Sequence, residues 1–324
     1  MAEPHARLDP AKFQDPVVTL TGAPRAHVRL RALDTLWFNT GTLCNLTCGH
    51  CYIESSPKND RLVYLSAAEV GEYLDEIERL SLGTSLIGFT GGEPFMNPEL
   101  PAMLEDVLSR DLRALVLTNA MKPMHKMKPA LLGLRDGRLT IRVSLDHYGR
   151  RVHEEERGHR SWQPTIDGLL WLAEHGFDIA VASRRLSGES EAEIRAGFAD
   201  LFRELGLALD ADDPLALTVF PEMDPDADVP EITEACWGIL GKSPESVMCS
   251  SSRMVVKFKR VLPRRSKAVF GRVATCYRYR AECTGPSDRA LQGSLETAPA
   301  PDQGSAPRRP QVASVIGRVG GKPT

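Results

Sequence analysis

Short apolar runs alternate with amphipathic helical patterns about six times between residues 33 and 222, and few folds accommodate that rhythm. Leu33–Phe38, Ser85–Phe89, Arg113–Leu117, Leu139–Leu145, Asp178–Ala182 and Leu215–Phe220 read as buried strands. Helical patterns lie between them. Ser66 and Glu69 form a capping box ahead of Val70, Tyr73, Leu74, Ile77 and Leu80. Asn97-Pro98-Glu99-Leu100 opens a second helix, with proline where a missing N–H costs nothing. A third lies near residues 124–134. A fourth starts at Pro164, carries Ile166, Leu169, Leu170 and Leu172, and stops near Gly176. Ser190 and Glu193 cap a fifth, which runs to about Leu205. This alternation predicts an α/β fold, a parallel sheet covered by helices. Six units suit a partial (β/α)6 barrel better than a closed eightfold one. Right-handed crossovers then bring every strand's C-terminal end to one rim.

Four segments are expected: an N-terminal arm (1–30) that is Pro-rich, polar and loosely packed, a core domain (31–222), a short α/β extension (223–258) and a tail (259–324). In the extension, Ile232–Leu240 reads as a helix and Arg253–Phe258 as a strand. The whole chain has 40 Lys/Arg against 43 Asp/Glu, a net charge of −3. The balance is uneven: residues 259–324 carry +9 and the remainder −12. The tail has no sustained period and reads as disordered or as a non-native end in place of a cysteine-bearing domain. As a nucleic-acid arm it lacks a stacking aromatic face beyond Tyr277 and Tyr279, so no nucleic-acid partner is expected. The start has no apolar stretch, and runs such as Gly168–Ala173 are too short to span a bilayer. A cytoplasmic protein without a membrane partner is expected.

Chemistry concentrates at Cys44-Asn45-Leu46-Thr47-Cys48-Gly49-His50-Cys51, directly after the first strand. Three thiols so close in a reducing compartment point to a metal centre rather than a disulfide framework. An iron–sulfur cube held by three thiolates keeps one iron open for an outside ligand. The alternative is a zinc knuckle that borrows His50 or a distant cysteine. A second motif, Thr90-Gly91-Gly92-Glu93-Pro94, follows the second strand. Its glycines permit close approach of backbone to a ligand, and the carboxylate can receive an ammonium group; a plain strand-to-helix turn is the other reading.

Together, CxxxCxxC after the first strand and GGEP after the second resemble the radical S-adenosylmethionine (radical SAM) superfamily, over about residues 33–222. The resemblance implies an oxygen-labile 4Fe–4S cluster on Cys44, Cys48 and Cys51, with S-adenosyl-L-methionine as cosubstrate. It further implies reductive cleavage of that cosubstrate to a 5′-deoxyadenosyl radical, which abstracts hydrogen from a substrate. Gly91, Gly92 and Glu93 would form the methionine-binding turn. Thr118-Asn119-Ala120 stands where relatives often carry Thr-Asn-Gly, and Val143-Ser144-Leu145-Asp146 resembles the family's V-S-L-D, so Thr118 is a candidate contact, Ser144 a hydrogen-bonding partner of the cosubstrate and Asp146 a wall of the substrate pocket. Arg184, ending the fifth strand, is a candidate carboxylate clamp, and Pro221-Glu222 end the sixth. His50 stands where the family usually has Phe or Tyr, and is expected to stack on adenine or to serve through its backbone. His147 follows Asp146 where relatives often have Gly. His153-Glu154-Glu155-Glu156-Arg157-Gly158 resembles a stretch of the branch that modifies peptides or builds cofactors, the SPASM-like relatives.

No side chain is assigned a catalytic role, and the net reaction is left open. A peptide or small molecule is the expected substrate, and a flavodoxin- or ferredoxin-type protein the expected low-potential electron donor. Cys236, Cys249, Cys276 and Cys283 form no compact array for an auxiliary cluster. Cys236, beside Trp237, reads as a core residue. The rival readings are a non-catalytic iron–sulfur or zinc carrier, and an enzyme inactivated by loss of a C-terminal domain.

Overall fold

The computed structural model describes residue 9 and residues 11–185, 188–221 and 230–259. Glu222, Cys276, Cys283 and the expected tail from residue 260 lie outside the described residues. The chain divides into two compact units. The larger comprises described residues of 36–223 and 256–259, the smaller those of 1–35 and 224–255.

The larger unit repeats strand and helix as the sequence predicts. Its elements are β1 (Thr35–Asn39), α1 (Ala67–Arg79), β2 (Leu86–Thr90), α2 (Leu100–Ser109), β3 (Arg113–Thr118), α3 (Lys122–Lys126), α4 (Lys128–Gly133), β4 (Leu139–Ser144), α5 (Arg150–Arg157), α6 (Trp162–Glu174), β5 (Asp178–Arg185), α7 (Glu191–Glu204) and β6 (Leu217–Pro221). The sheet order is β6-β5-β4-β3-β2-β1, and β2 through β6 pair in parallel. Each strand is thus next to its sequence neighbour, the topology of a partial (β/α)6 barrel.

Alternation along the strands decides what faces the helices. In β4, Leu139, Ile141 and Val143 are wholly buried, while Thr140, Arg142 and Ser144 point to the opposite, lumen face and are only half-buried. Ile87, Phe89, Val116, Val143 and Val181 complete the helix-side layer. Phe38 stacks on Phe89 and meets Tyr73 of α1 edge-on, each at 5.8 Å between ring centroids. Both expected capping boxes form: the Ser66 hydroxyl accepts from Glu69 N and that of Ser190 from Glu193 N, with both glutamates reaching back to the capping amide. Val70, Tyr73, Leu74 and Ile77 line the buried face of α1.

Departures from the expected elements have local causes. The helix expected near 124–134 is two short ones divided at Met127. Pro129 has no N–H for the upstream carbonyl, and its ring clashes there. The second helix starts at Leu100 rather than at Asn97, whose side chain instead accepts from Glu99 N and donates to Leu65 O. The helix α5 was not foreseen, because RRVHEEER shows little apolar face.

In the smaller unit, the described part of the expected loose arm is tied down. Arg25 is buried, and donates to Val18 O at 3.0 Å and to Glu231 at 2.6 Å, because a buried guanidinium requires a carboxylate. Two further elements follow, α8 (Cys236–Leu240) and β7 (Ser252–Val255), both shorter than expected. Cys236 is not a core residue: α8 buries none of its five residues, and the sulfur accepts from Thr233 N. Among the described residues no helix is long and apolar enough to cross a membrane.

Candidate functional site

The loop after β1 carries the three cysteines and is fastened at both ends. The Thr40 amide and hydroxyl both donate to Thr90 O, and the Thr42 hydroxyl bridges Leu62 O and Leu62 N. Cys44 is buried, whereas Cys48 and Cys51 are half-buried. Leu46 N points at the Cys44 sulfur (3.4 Å) and Ser55 N at that of Cys51 (3.2 Å), so a backbone amide is aimed at each sulfur. Burial acts against the thiolate form: it pushes the Cys44 thiol up to about 12 and raises Cys48 as well, while the Arg157 charge pulls both back. Thiolate ligation must therefore release protons. Among the described residues no three His, Cys, Asp or Glu side chains are gathered as ligands of one metal ion.

Residues Gly91, Gly92 and Glu93 lie directly against this loop. Gly92 N donates to Gly41 O (2.8 Å) and Glu93 N to Leu43 O (3.1 Å). A Cβ on Gly91, whose φ is +139°, would stand 2.5 Å from Gly41 O, and one on Gly92 would stand 2.3 Å from Leu43 O. The expectation that the glycines admit a ligand thus has a different physical basis here: they admit the cysteine loop's own backbone. The Glu93 side chain is buried, and accepts from Phe95 N (3.1 Å), the Thr118 hydroxyl (2.8 Å) and Asn119 N (2.8 Å). Burial pushes its carboxyl up to about 7 against the pull of those donors and of Arg157. Thr118 in turn accepts from Ala120 N. Both side chains therefore tie the ends of β2 and β3 together. Ala120 adopts φ +56°, the left-handed conformation that glycine adopts most readily.

A second cluster forms where β4, β5 and α5 end. Asp146 is buried and the Arg157 side chain 10% exposed; Arg157 Nη2 donates to Asp146 Oδ1 at 2.9 Å, and Nε lies 2.8 Å from Oδ2 as an ion contact. Arg157 holds the Asp146 carboxyl below its ordinary range despite burial. Arg184 donates to His50 O at 2.8 Å and lies 3.5 Å from Glu156 and 3.7 Å from Asp146. Glu156 accepts from His50 N (2.8 Å), and its other oxygen is 2.6 Å from the His50 ring, whose side chain is 43% exposed. Gly49 N donates to Glu156 O. The C-terminal turn of α5 therefore clamps the segment between the second and third cysteines. Ser144 lies on the lumen face beside Ala182.

Every proposed site residue thus collects at one rim, but the side chains of Thr118, Glu93 and Arg184 are already engaged with protein. Sequence reasoning assigned no role to Asn119, Glu156 or Arg157. Asn119 donates to Asn45 Oδ1 (3.0 Å) and approaches the Cys44 sulfur at 3.9 Å. The signal for Glu156 and Arg157 was present in HEEERG, but their partners sit on other segments.

Residues 38–196 match the model of the radical SAM superfamily. The chain is 31% identical over 141 residues to the antilisterial bacteriocin subtilosin biosynthesis protein AlbA of Bacillus subtilis, covering 43% of this chain and 30% of that protein. It is 28% identical over 148 residues to the Fe-coproporphyrin III synthase of Methanosarcina barkeri, covering 44% and 35%. The match thus spans about a third of the length of these relatives. The structure of Streptococcus suis SuiB bound to S-adenosylmethionine superposes with a TM-score of 0.49 at 17% identity, over 62% of this chain and 44% of that one.

Proposed function

We propose, from the premise that residues 38–196 make this chain a member of the radical SAM superfamily, that it is an enzyme whose Cys44, Cys48 and Cys51 hold a 4Fe–4S cluster at the barrel rim. Bound there, the cluster and S-adenosylmethionine supply a 5′-deoxyadenosyl radical that abstracts hydrogen from the substrate.

The observation that carries this reading is the lock between the diglycine turn and the cysteine loop, with Gly92 N on Gly41 O and Glu93 N on Leu43 O. It holds the start of the cysteine loop, next to Cys44, against the end of β2. The donor set fits the cluster, because three soft sulfur ligands suit iron–sulfur chemistry and each thiolate can take a separate iron. A structural zinc ion instead takes four protein ligands, and the motif supplies three thiols. The Leu46 and Ser55 amides orient and stabilise the sulfurs, and Arg157 offsets their charge. Gly91, Gly92 and Glu93 would hold the methionine end of the cosubstrate, and Ser144 would hydrogen-bond it. Arg184 and Glu156 hold the His50 segment in place. A flavodoxin- or ferredoxin-type protein delivers the electron.

We take the substrate to be a peptide; the bacteriocin biosynthesis protein among the relatives supports this class. The test is anaerobic reconstitution with iron and sulfide, then reduction with S-adenosylmethionine present. The expected product is 5′-deoxyadenosine, absent in Cys48→Ala. Stoichiometric zinc without an absorbing cluster, or a reducible cluster that leaves the cosubstrate intact, overturns the reading.

A further inference from the structure

Arg142 stands on β4 two residues before Ser144, about 7 Å below the rim. Parallel register sets it between Leu117 of β3 and Ala180 of β5. On the same face of β5, four residues beyond Ala180, Arg184 reaches the cysteine loop. Arg142 thus shares the lumen face that the rim residues overlook. Leu117 is apolar, and Ala180 and Ala182 are small. None of these sheet neighbours offers its guanidinium a partner.

Arg113 and Arg185, at the ends of β3 and β5, are exposed, whereas three other arginines near the sheet have a carboxylate. Arg157 has Asp146, Arg138 has Asp136, and Arg195 has Glu191. Among the described residues no carboxylate lies within ion-pair distance of Arg142, and its Nε is sealed from solvent without a hydrogen-bond partner. Asp178, an acid on the same face of β5, is engaged with the Thr140 hydroxyl. Burial alone lowers the pKa of Arg142, with no neighbouring charge in opposition. Arg142 is only half-buried, but its Nε is a guanidinium nitrogen sealed from water with no acceptor, which an acceptor from outside the chain would satisfy. Its planar fork matches a two-oxygen anion.

We infer that Arg142 receives an oxyanion of the substrate, a carboxylate or a phosphate, inside the barrel lumen. The inference rests on the proposed reading of the rim as the reaction site.

The test uses the full-length reconstituted protein, with phenylglyoxal modification mapped by peptide mass spectrometry. Arg142 is expected to react ahead of Arg157 and Arg138, and glutarate or inorganic phosphate to slow it. Protection by glutarate alone assigns a carboxylate, and protection by phosphate alone a phosphate. Arg142→Gln should weaken the anion, titrated through its effect on Tm, by about 10- to 100-fold, the span of charge-assisted hydrogen bonding. Arg142→Lys should retain part of the affinity. Absence of protection by both anions overturns the inference, as does an unchanged anion dependence in Arg142→Gln. The footprint on the parent protein decides alone if the variant fails to fold. Formation of 5′-deoxyadenosine without substrate separates the two readings. If the parent forms it but anions protect nothing, only the role of Arg142 falls; if the parent forms none, the functional reading falls.

Discussion

The Asp146–Arg157 pair shows at the residue scale why the rim keeps its shape. Asp146 is removed from water and Arg157 nearly so, and the buried carboxylate is tolerated because the guanidinium is present. Arg157→Met should leave a buried, poorly compensated carboxylate and destabilise the protein by about 3–5 kcal/mol, measured by urea unfolding. A change within the scatter of surface substitutions would show that Arg184 alone balances Asp146. His153 offers a pH test. It is wholly buried, neither ring nitrogen has a protein partner, and burial pushes its pKa down to about 4, with Arg157 acting in the same direction. Between about pH 6.5 and 4, the unfolded chain therefore binds a proton that the folded chain refuses, and stability drops as the pH falls. His153→Leu removes that contribution, so the stability lost between pH 7 and pH 5 should be smaller in the variant than in the parent. Equal losses would refute the assignment. The letters of HEEERG were legible in the sequence, but Asp146 as the counter-ion of Arg157 was not. That pairing depends on how α5 turns back beneath the end of β4.

Glycines set the distances between elements. Gly168 of α6 lies against the turn after β3, where an added Cβ would stand 2.0 Å from Ala120 O. Backbone cannot yield as a side chain tip does, so Gly168→Ala should cost about 1–3 kcal/mol by displacing α6, read as a lower Tm. Gly92→Ala acts on the site instead. Its Cβ would push on Leu43 O and open the lock between the β2 turn and the cysteine loop. Iron and sulfide bound after reconstitution should fall well below the parent level while the far-ultraviolet circular dichroism stays unchanged. Full loading in this variant would remove the lock from the argument. At this scale the sequence was read well where signals were local. Both capping boxes formed because their partners are three residues apart. The break at Met127 has a weak local signal, because Pro129 starts the second helix inside a continuous helical pattern. The polar α5 was missed because it owes its place to packing against the cysteine loop rather than to periodicity.

The larger unit as a whole is a sheet in which parallel neighbours are joined by helical crossovers. No pair of parallel strands can form through a tight hairpin, so every ladder waits for the closure of a long loop. Refolding from urea should accordingly proceed through a collapsed species and more than one kinetic phase, with rollover of the folding limb at low denaturant. A linear limb with a single exponential would contradict this. The same topology explains why chemistry gathers at one rim: strands that share a direction bring the cysteine loop, the diglycine turn and the ends of β3, β4 and β5 to one side.

From sequence alone came the strand–helix order, the parallel partial barrel, the cysteine trio and the grouping of the motifs at strand ends. These rest on periodicity and on spacings of a few residues, which the local chain encodes directly. Folding in three dimensions decided which groups are consumed internally and which stay available. Glu93 and Thr118 became struts and Arg184 a clamp on the His50 segment, because donors from distant segments arrived within hydrogen-bond reach. Arg142 was left without a partner because parallel register set leucine and alanine at its sides. Burial and pairing are properties of the assembled sheet, and no spacing along the chain records them.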